Sequence, residues 1–111
     1  MTMIILTTNK MQTETLQLTA GATSSTVVGN KKIDQCAILH YSIKRNALYM
    51  TGKIQVTDLM STVDVTNNYT GDDCGITLSG SYSSDDIVLS VALDSSAGDC
   101  EMKYTLEKIK I

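Results

Sequence analysis

From Cys36 to Lys44 the chain reads Cys-Ala-Ile-Leu-His-Tyr-Ser-Ile-Lys, and the alternation in that stretch decides the fold. Ile38, His40 and Ser42 fall on one side and Leu39, Tyr41 and Ile43 on the other, a period of two that belongs to a strand and not to a helix. The Leu39 side is expected to face a core. Arg45-Asn46 then reads as a hairpin turn into a second strand, Tyr49 to Thr57. Met50, Gly52, Ile54 and Val56 share one face of that strand, opposite Thr51, Lys53 and Gln55.

The same pattern recurs outward in both directions. Toward the N-terminus, Thr13 to Thr19 alternates with Leu16 and Leu18 on one face, and Met3 to Thr8 is a short apolar run ended by Asn9-Lys10. Ala20 to Ser25 is small and polar and reads as a loop. Thr26-Val27-Val28 is expected to form a brief strand that Gly29-Asn30 turns. Toward the C-terminus, Thr62 to Thr66 places Val63 and Val65 inward, and Asn67-Asn68 with Gly71-Asp72-Asp73 marks a turn-rich connection to Gly75 to Ser81. Asp85-Asp86 reads as a hairpin tip before Ile87 to Asp94, Ser95 to Asp99 as a turn, and Glu101 to Ile111 as a closing strand with Met102, Tyr104 and Leu106 in step. About eight or nine strands at spacings near ten residues, without a helical stripe, predict an all-β antiparallel β-sandwich or jelly roll.

Composition agrees. The chain of 111 residues suits one domain. It has no Phe and no Trp, so the core is built from Ile, Leu, Val, Met and Tyr, which suit stacked sheets. Within that domain the reading separates residues 1–32, N-terminal strands and a loop, from a β-sandwich module over 33–111. Residues 1–32 either attach to a partner or complete the sandwich, and both readings stand. A net charge of −3 with scattered Lys and Arg argues against a nucleic-acid partner. Met3 to Leu6 is too short for the apolar part of a secretory signal, and no apolar run reaches membrane-spanning length, so a soluble product made in a cytoplasm, with no membrane partner, is expected.

Cys36, Cys74 and Cys100 are odd in number and form no C-x-x-C pair, which predicts reduced, buried thiols and neither a disulfide framework nor a zinc site. His40 is the sole histidine and reads as structural or surface. The acidic pairs Asp72-Asp73 and Asp85-Asp86, with Asp94 and Asp99, sit in turns, where carboxylates cap nearby backbone N–H groups. A weak Ca²⁺ site is the alternative, and no D-x-D-x-D-G loop supports it. No phosphate-cradling glycine motif is present. No catalytic residue, cofactor or metal is expected, and the chain reads as a non-enzyme.

Five pieces occur in a telling order: Leu39 to Arg45 (Leu-His-Tyr-Ser-Ile-Lys-Arg), Thr51-Gly52-Lys53-Ile54, Asn67-Asn68-Tyr69, Gly75 to Ser79 (Gly-Ile-Thr-Leu-Ser), and Glu101 to Tyr104 (Glu-Met-Lys-Tyr). In this order the chain from Cys36 onward resembles a domain of bacteriophage virion proteins found in head fibres, capsid decoration proteins and tail fibres. Asn46 stands where that family usually has Gly, and Leu78 where it usually has Phe. Both are mild departures, since Asn tolerates the left-handed conformation of a glycine turn. The resemblance implies a phage virion structural protein, a capsid decoration or head-fibre subunit located in the virion and made in the host bacterial cytoplasm. It further implies a homotrimer, with the major capsid protein or other virion proteins as partners. A tail-fibre or receptor- and carbohydrate-binding module is the alternative. Apolar positions expected to contact another copy or the particle are Met3, Ile4, Ile5, Leu6, Ile38 and Ile54.

Overall fold

The computed structural model describes residues 12–111. Eight strands follow one another: β1 (Glu14–Leu18), β2 (Thr23–Asn30), β3 (Asp34–Arg45), β4 (Leu48–Asp58), β5 (Val63–Gly71), β6 (Ile76–Ser83), β7 (Asp86–Leu93) and β8 (Cys100–Lys110). They make two antiparallel sheets, one of five strands in the order β1-β8-β3-β4-β5 and one of three in the order β2-β7-β6. The fold is a β-sandwich. Met3 to Thr8 lies outside the described residues.

The stretch that opened the sequence reading is the centre of the larger sheet. β3 pairs with β4 from Cys36↔Thr57 to Arg45↔Leu48 and with β8 on its other side. This register stacks Leu39 beside Ile54 and Leu106, and Tyr41 beside Gly52 and Tyr104, on the inner face. Leu89, Val91 and Leu93 of β7 and Val28 of β2 meet them from the smaller sheet, and all four are buried. Burial alternates along the core-facing stretches of the strands, so there one face of each sheet is apolar and the other wet.

Two strands run further than their sequences indicate. Ala20 to Ser25 reads as a loop, yet β2 begins at Thr23 and pairs with β7 from Thr23↔Ala92. Hydroxyls there substitute for apolar contact: Ser24 Oγ donates to Gln17 O at 2.8 Å, and the Ser25 and Ser90 hydroxyls lie 2.9 Å apart. Asn67-Asn68 reads as a turn, yet β5 continues through both to Gly71, held by the long partner β4 and by Tyr41, whose hydroxyl donates to Asn67 Oδ1 at 2.8 Å. The β6–β7 tip is Ser84-Asp85, with Asp86 opening β7. Asn46, at φ 56°, takes the left-handed conformation in the β3–β4 turn.

β1 and β2 both lie within residues 1–32. β1 pairs with β8 and β2 with β7, and Leu18 and Val28 are fully buried in the core. The described part of that segment contributes one strand to each sheet.

Gly80 of β6 closes the edge opposite β1. A Cβ there would stand 2.5 Å from Val63 Cγ1 and 2.9 Å from Val65 Cγ2, so a bare backbone is what lets these two β5 side chains lie against the smaller sheet. Gly80→Ala is expected to destabilise by about 1–3 kcal/mol through overpacking, whereas Ser81→Ala on the outer face stays within about 0.5 kcal/mol. Urea denaturation of the two variants checks this.

Candidate assembly and binding surfaces

The end of the sandwich carrying the β3–β4 turn and the β5–β6 and β7–β8 connections is organised by one side chain. Arg45, the last residue of β3, lies on the inner side of its strand and is only 2% exposed. Its Nε donates to Gly98 O at 2.9 Å. Nη1 donates to Cys74 O at 2.8 Å and Asp94 Oδ1 at 2.6 Å, and Nη2 to Asp94 O and Ala97 O, each at 2.9 Å. All five guanidinium N–H groups are thereby used. Gly75, at φ 89°, leaves room for the Asp94 carboxylate, onto which a Cβ would intrude. The Arg45 and Ser96 donors hold the Asp94 carboxyl below the usual carboxylate range.

The remaining carboxylates at this end do turn chemistry. Asp73 Oδ1 accepts from Gly75 N at 2.8 Å, Asp72 Oδ2 from Tyr49 N at 3.1 Å, and Asp99 Oδ1 from Ala20 N at 2.9 Å. Asp85-Asp86 belongs to the opposite end, where Asp85 pairs with Lys32 Nζ at 3.2 Å. The acidic turns therefore divide between the two ends. Among the described residues no three His, Cys, Asp or Glu side chains are grouped to hold a metal ion.

All three cysteines are free and buried. Burial pushes the thiols of Cys74 and Cys100 up, which keeps them protonated and poor nucleophiles. His40 lies on the outer face of the larger sheet with its Nε2 3.3 Å from Glu107 Oε1, an exposed pair.

Of the positions expected to meet another copy or the particle, Met3, Ile4, Ile5 and Leu6 lie outside the described residues. Ile38 is half-buried on the outer face of the larger sheet. Ile54 corrects the expectation: it pairs with Leu39, so its side chain points inward and is 0% exposed, part of the core and not of any surface. Ile38 is opposite Gln55, one position from Ile54, so Ile38 and Ile54 lie on opposite faces of the sheet.

Of the exposed large apolar residues among those described, five lie together at the end opposite Arg45. Ile33 in the β2–β3 connection, Leu59 and Met60 in the β4–β5 turn, and Ile109 and Ile111 at the end of β8 are all exposed, Met60 to 91%. Two hydrogen bonds bring these segments together: Ile111 N donates to Ile33 O at 3.0 Å, and the Gln35 side-chain amide Nε2 to Asp58 O at 2.9 Å. The turn beneath Met60 is firmly built. Asp58 Oδ1 accepts from Met60 N at 2.8 Å and from the Tyr82 hydroxyl, and that bond to a carboxylate pushes the Tyr82 phenol up to about 12. Nearby, burial pushes the Asp34 carboxyl up, but the Asn30 amide and Lys110 together bring it below its ordinary value. The clue in the sequence was Leu59-Met60, two large apolar residues at a turn where polar ones are the rule.

No family model matches the chain, and no curated protein matches it. Among solved structures, the tailspike protein of the Acinetobacter phage vB_ApiP_P1 matches with a TM-score of 0.55 over 98% of this chain, at 16% identity. At that identity the likeness is one of fold. The chain spans 24% of the length of the tailspike chain.

Removing the Arg45 guanidinium strands four carbonyls at once. Arg45→Met is expected to lower stability by about 3–5 kcal/mol, and Arg45→Lys to recover little of it, because an ammonium presents its three donors from one atom and not from a planar fork. Chemical denaturation midpoints of the three proteins test this.

Proposed function

We propose that the chain is a structural component of a bacteriophage particle, acting by assembly and docking and not by catalysis. The observation that carries this reading is the fold likeness to a phage tailspike, which takes in nearly the whole of this chain as one module of a longer one. The apolar end formed by Ile33, Leu59, Met60, Ile109 and Ile111 supports it, since monomeric proteins seldom leave such residues grouped in water. The finer reading is a homotrimeric capsid decoration or head-fibre subunit in the virion, seated on the major capsid protein or another virion protein. A tail-fibre or receptor-binding module is the second reading, and the word tailspike in the neighbour's name favours it.

Mass spectrometry of gradient-purified particles, with light scattering on the isolated protein, tests the proposal. The protein is expected in multiple copies per particle and as a trimer in solution. Absence from purified particles would overturn the virion reading, and a clean monomer mass near 12.0 kDa at micromolar concentration would overturn the trimer. Replacing Leu59 and Met60 together by Ser is expected to weaken self-association or particle attachment while leaving the sandwich folded.

A further inference from the structure

We propose that the outer face of the five-stranded sheet carries a binding site for an acidic oligosaccharide, in a trough centred on Ser42. The proposal deepens the receptor-binding reading above. The trough follows from side-chain size. Ser42 is short and faces outward, with Thr51 directly opposite on β4 and Lys103 directly opposite on β8. Longer side chains, His40, Lys44, Tyr49 and Lys103, surround it. Three adjoining depressions of about 540, 500 and 320 Å³ result, and Ser42 lines all of them.

The lining selects the ligand. β8, β3 and β4 are interior strands, each paired on both sides over this region, so their backbone N–H and C=O groups are consumed by the sheet. A peptide seeking an edge to extend finds none here. What the trough offers is hydroxyls (Ser42, Thr51, Thr70, Thr105), ammonium groups and one aromatic ring, the complement of a sugar's hydroxyls and apolar ring face. Tyr49 is the ring: it is 59% exposed and large, and its backbone N–H is fixed by Asp72. A tyrosine has two side-chain torsions to order and so gives contact area at low entropic cost.

Charge narrows the class. The charged side chains lining the three depressions are Lys44, Lys103 and Glu101, two cations to one carboxylate in a chain whose net charge is −3, and His40 beside them is paired with Glu107. Lys44 Nζ lies 5.5 Å from the centre of the Tyr49 ring, and Lys103 meets Glu101 at 3.5 Å. Both lysines are solvent-exposed pairings of the weak kind that a ligand carboxylate readily replaces.

Titration of the ¹⁵N-labelled full chain followed by NMR tests the site, using hexagalacturonate, a hyaluronan hexasaccharide and a sialic acid hexamer, with maltohexaose and octathymidylate as comparisons. At least one acidic sugar is expected to shift the amides of Ser42, Tyr49, Thr51 and Lys103, with affinity falling as salt is raised. Tyr49→Ala is expected to weaken that binding about tenfold. Ser42→Gln, which fills the trough and leaves Tyr49, Thr51, Lys44 and Lys103 in place, is expected to abolish it with the remaining spectrum unchanged. No shifts with any acidic sugar, shifts away from Ser42, or equal binding of maltohexaose or octathymidylate would overturn the proposal. Because the titration uses isolated protein, its failure leaves the virion reading intact, and absence from particles leaves the titration intact.

Discussion

A guanidinium withdrawn from water can persist only where every N–H finds an acceptor, and Arg45 meets that requirement with five bonds reaching three segments of the chain. Four of its acceptors are backbone carbonyls, at Cys74, Asp94, Ala97 and Gly98. These are connections that polar loops would otherwise leave to solvent. One side chain at the end of a central strand of the larger sheet thus fixes the entry to β6, the exit from β7 and the approach to β8. Two of those strands belong to the smaller sheet, so Arg45 ties the sheets together where hydrophobic packing gives out. Asp94 completes the arrangement, and Gly75 makes room for it.

With one end locked in this manner, the molecule presents three distinct surfaces. At the Arg45 end the carboxylates are spent on Arg45 and on backbone capping. The opposite end exposes Ile33, Leu59, Met60, Ile109 and Ile111 above a turn that Asp58 and Tyr82 hold in place. Between them lies the outer face of the larger sheet, with its trough at Ser42. A rigid module with one apolar end and a polar lateral face is suited to being seated at that end while its side remains open to solvent and ligands.

Much of the architecture was legible in the sequence, because the period of two survives wherever one face of a strand is buried. Cys36 to Lys44 gave β3, its inner face and its partner β4 almost to the residue. The Thr23 to Ser25 start of β2 and the far half of β5 were not legible, for Thr23, Ser24, Ser25, Asn67 and Asn68 join strands through backbone ladders and side-chain hydrogen bonds, which leave no hydrophobic rhythm. Ile54 was assigned to a surface although its own alternation with Met50 and Val56 placed it inside. The role of Arg45 was hidden, since a charged residue beside a turn ordinarily faces solvent, and only the closure of distant loops around it reveals the acceptors. The trough at Ser42 depends on the neighbours that β8 and β4 bring alongside β3, a matter of register that no single strand discloses.

On this account the Arg45 end is a cooperative part of the folded core and not a set of independent loops. Native-state hydrogen exchange of the Asp94 and Gly21 amides measures this directly: Asp94 N donates to Gly75 O at 3.0 Å, and Gly21 N to Leu93 O at 2.9 Å. If the claim holds, both exchange only through global unfolding, with the same opening free energy and denaturant dependence as the amides of Leu39 and Leu89. Exchange of Asp94 and Gly21 through small local openings, insensitive to denaturant while Leu39 and Leu89 remain protected, would contradict it.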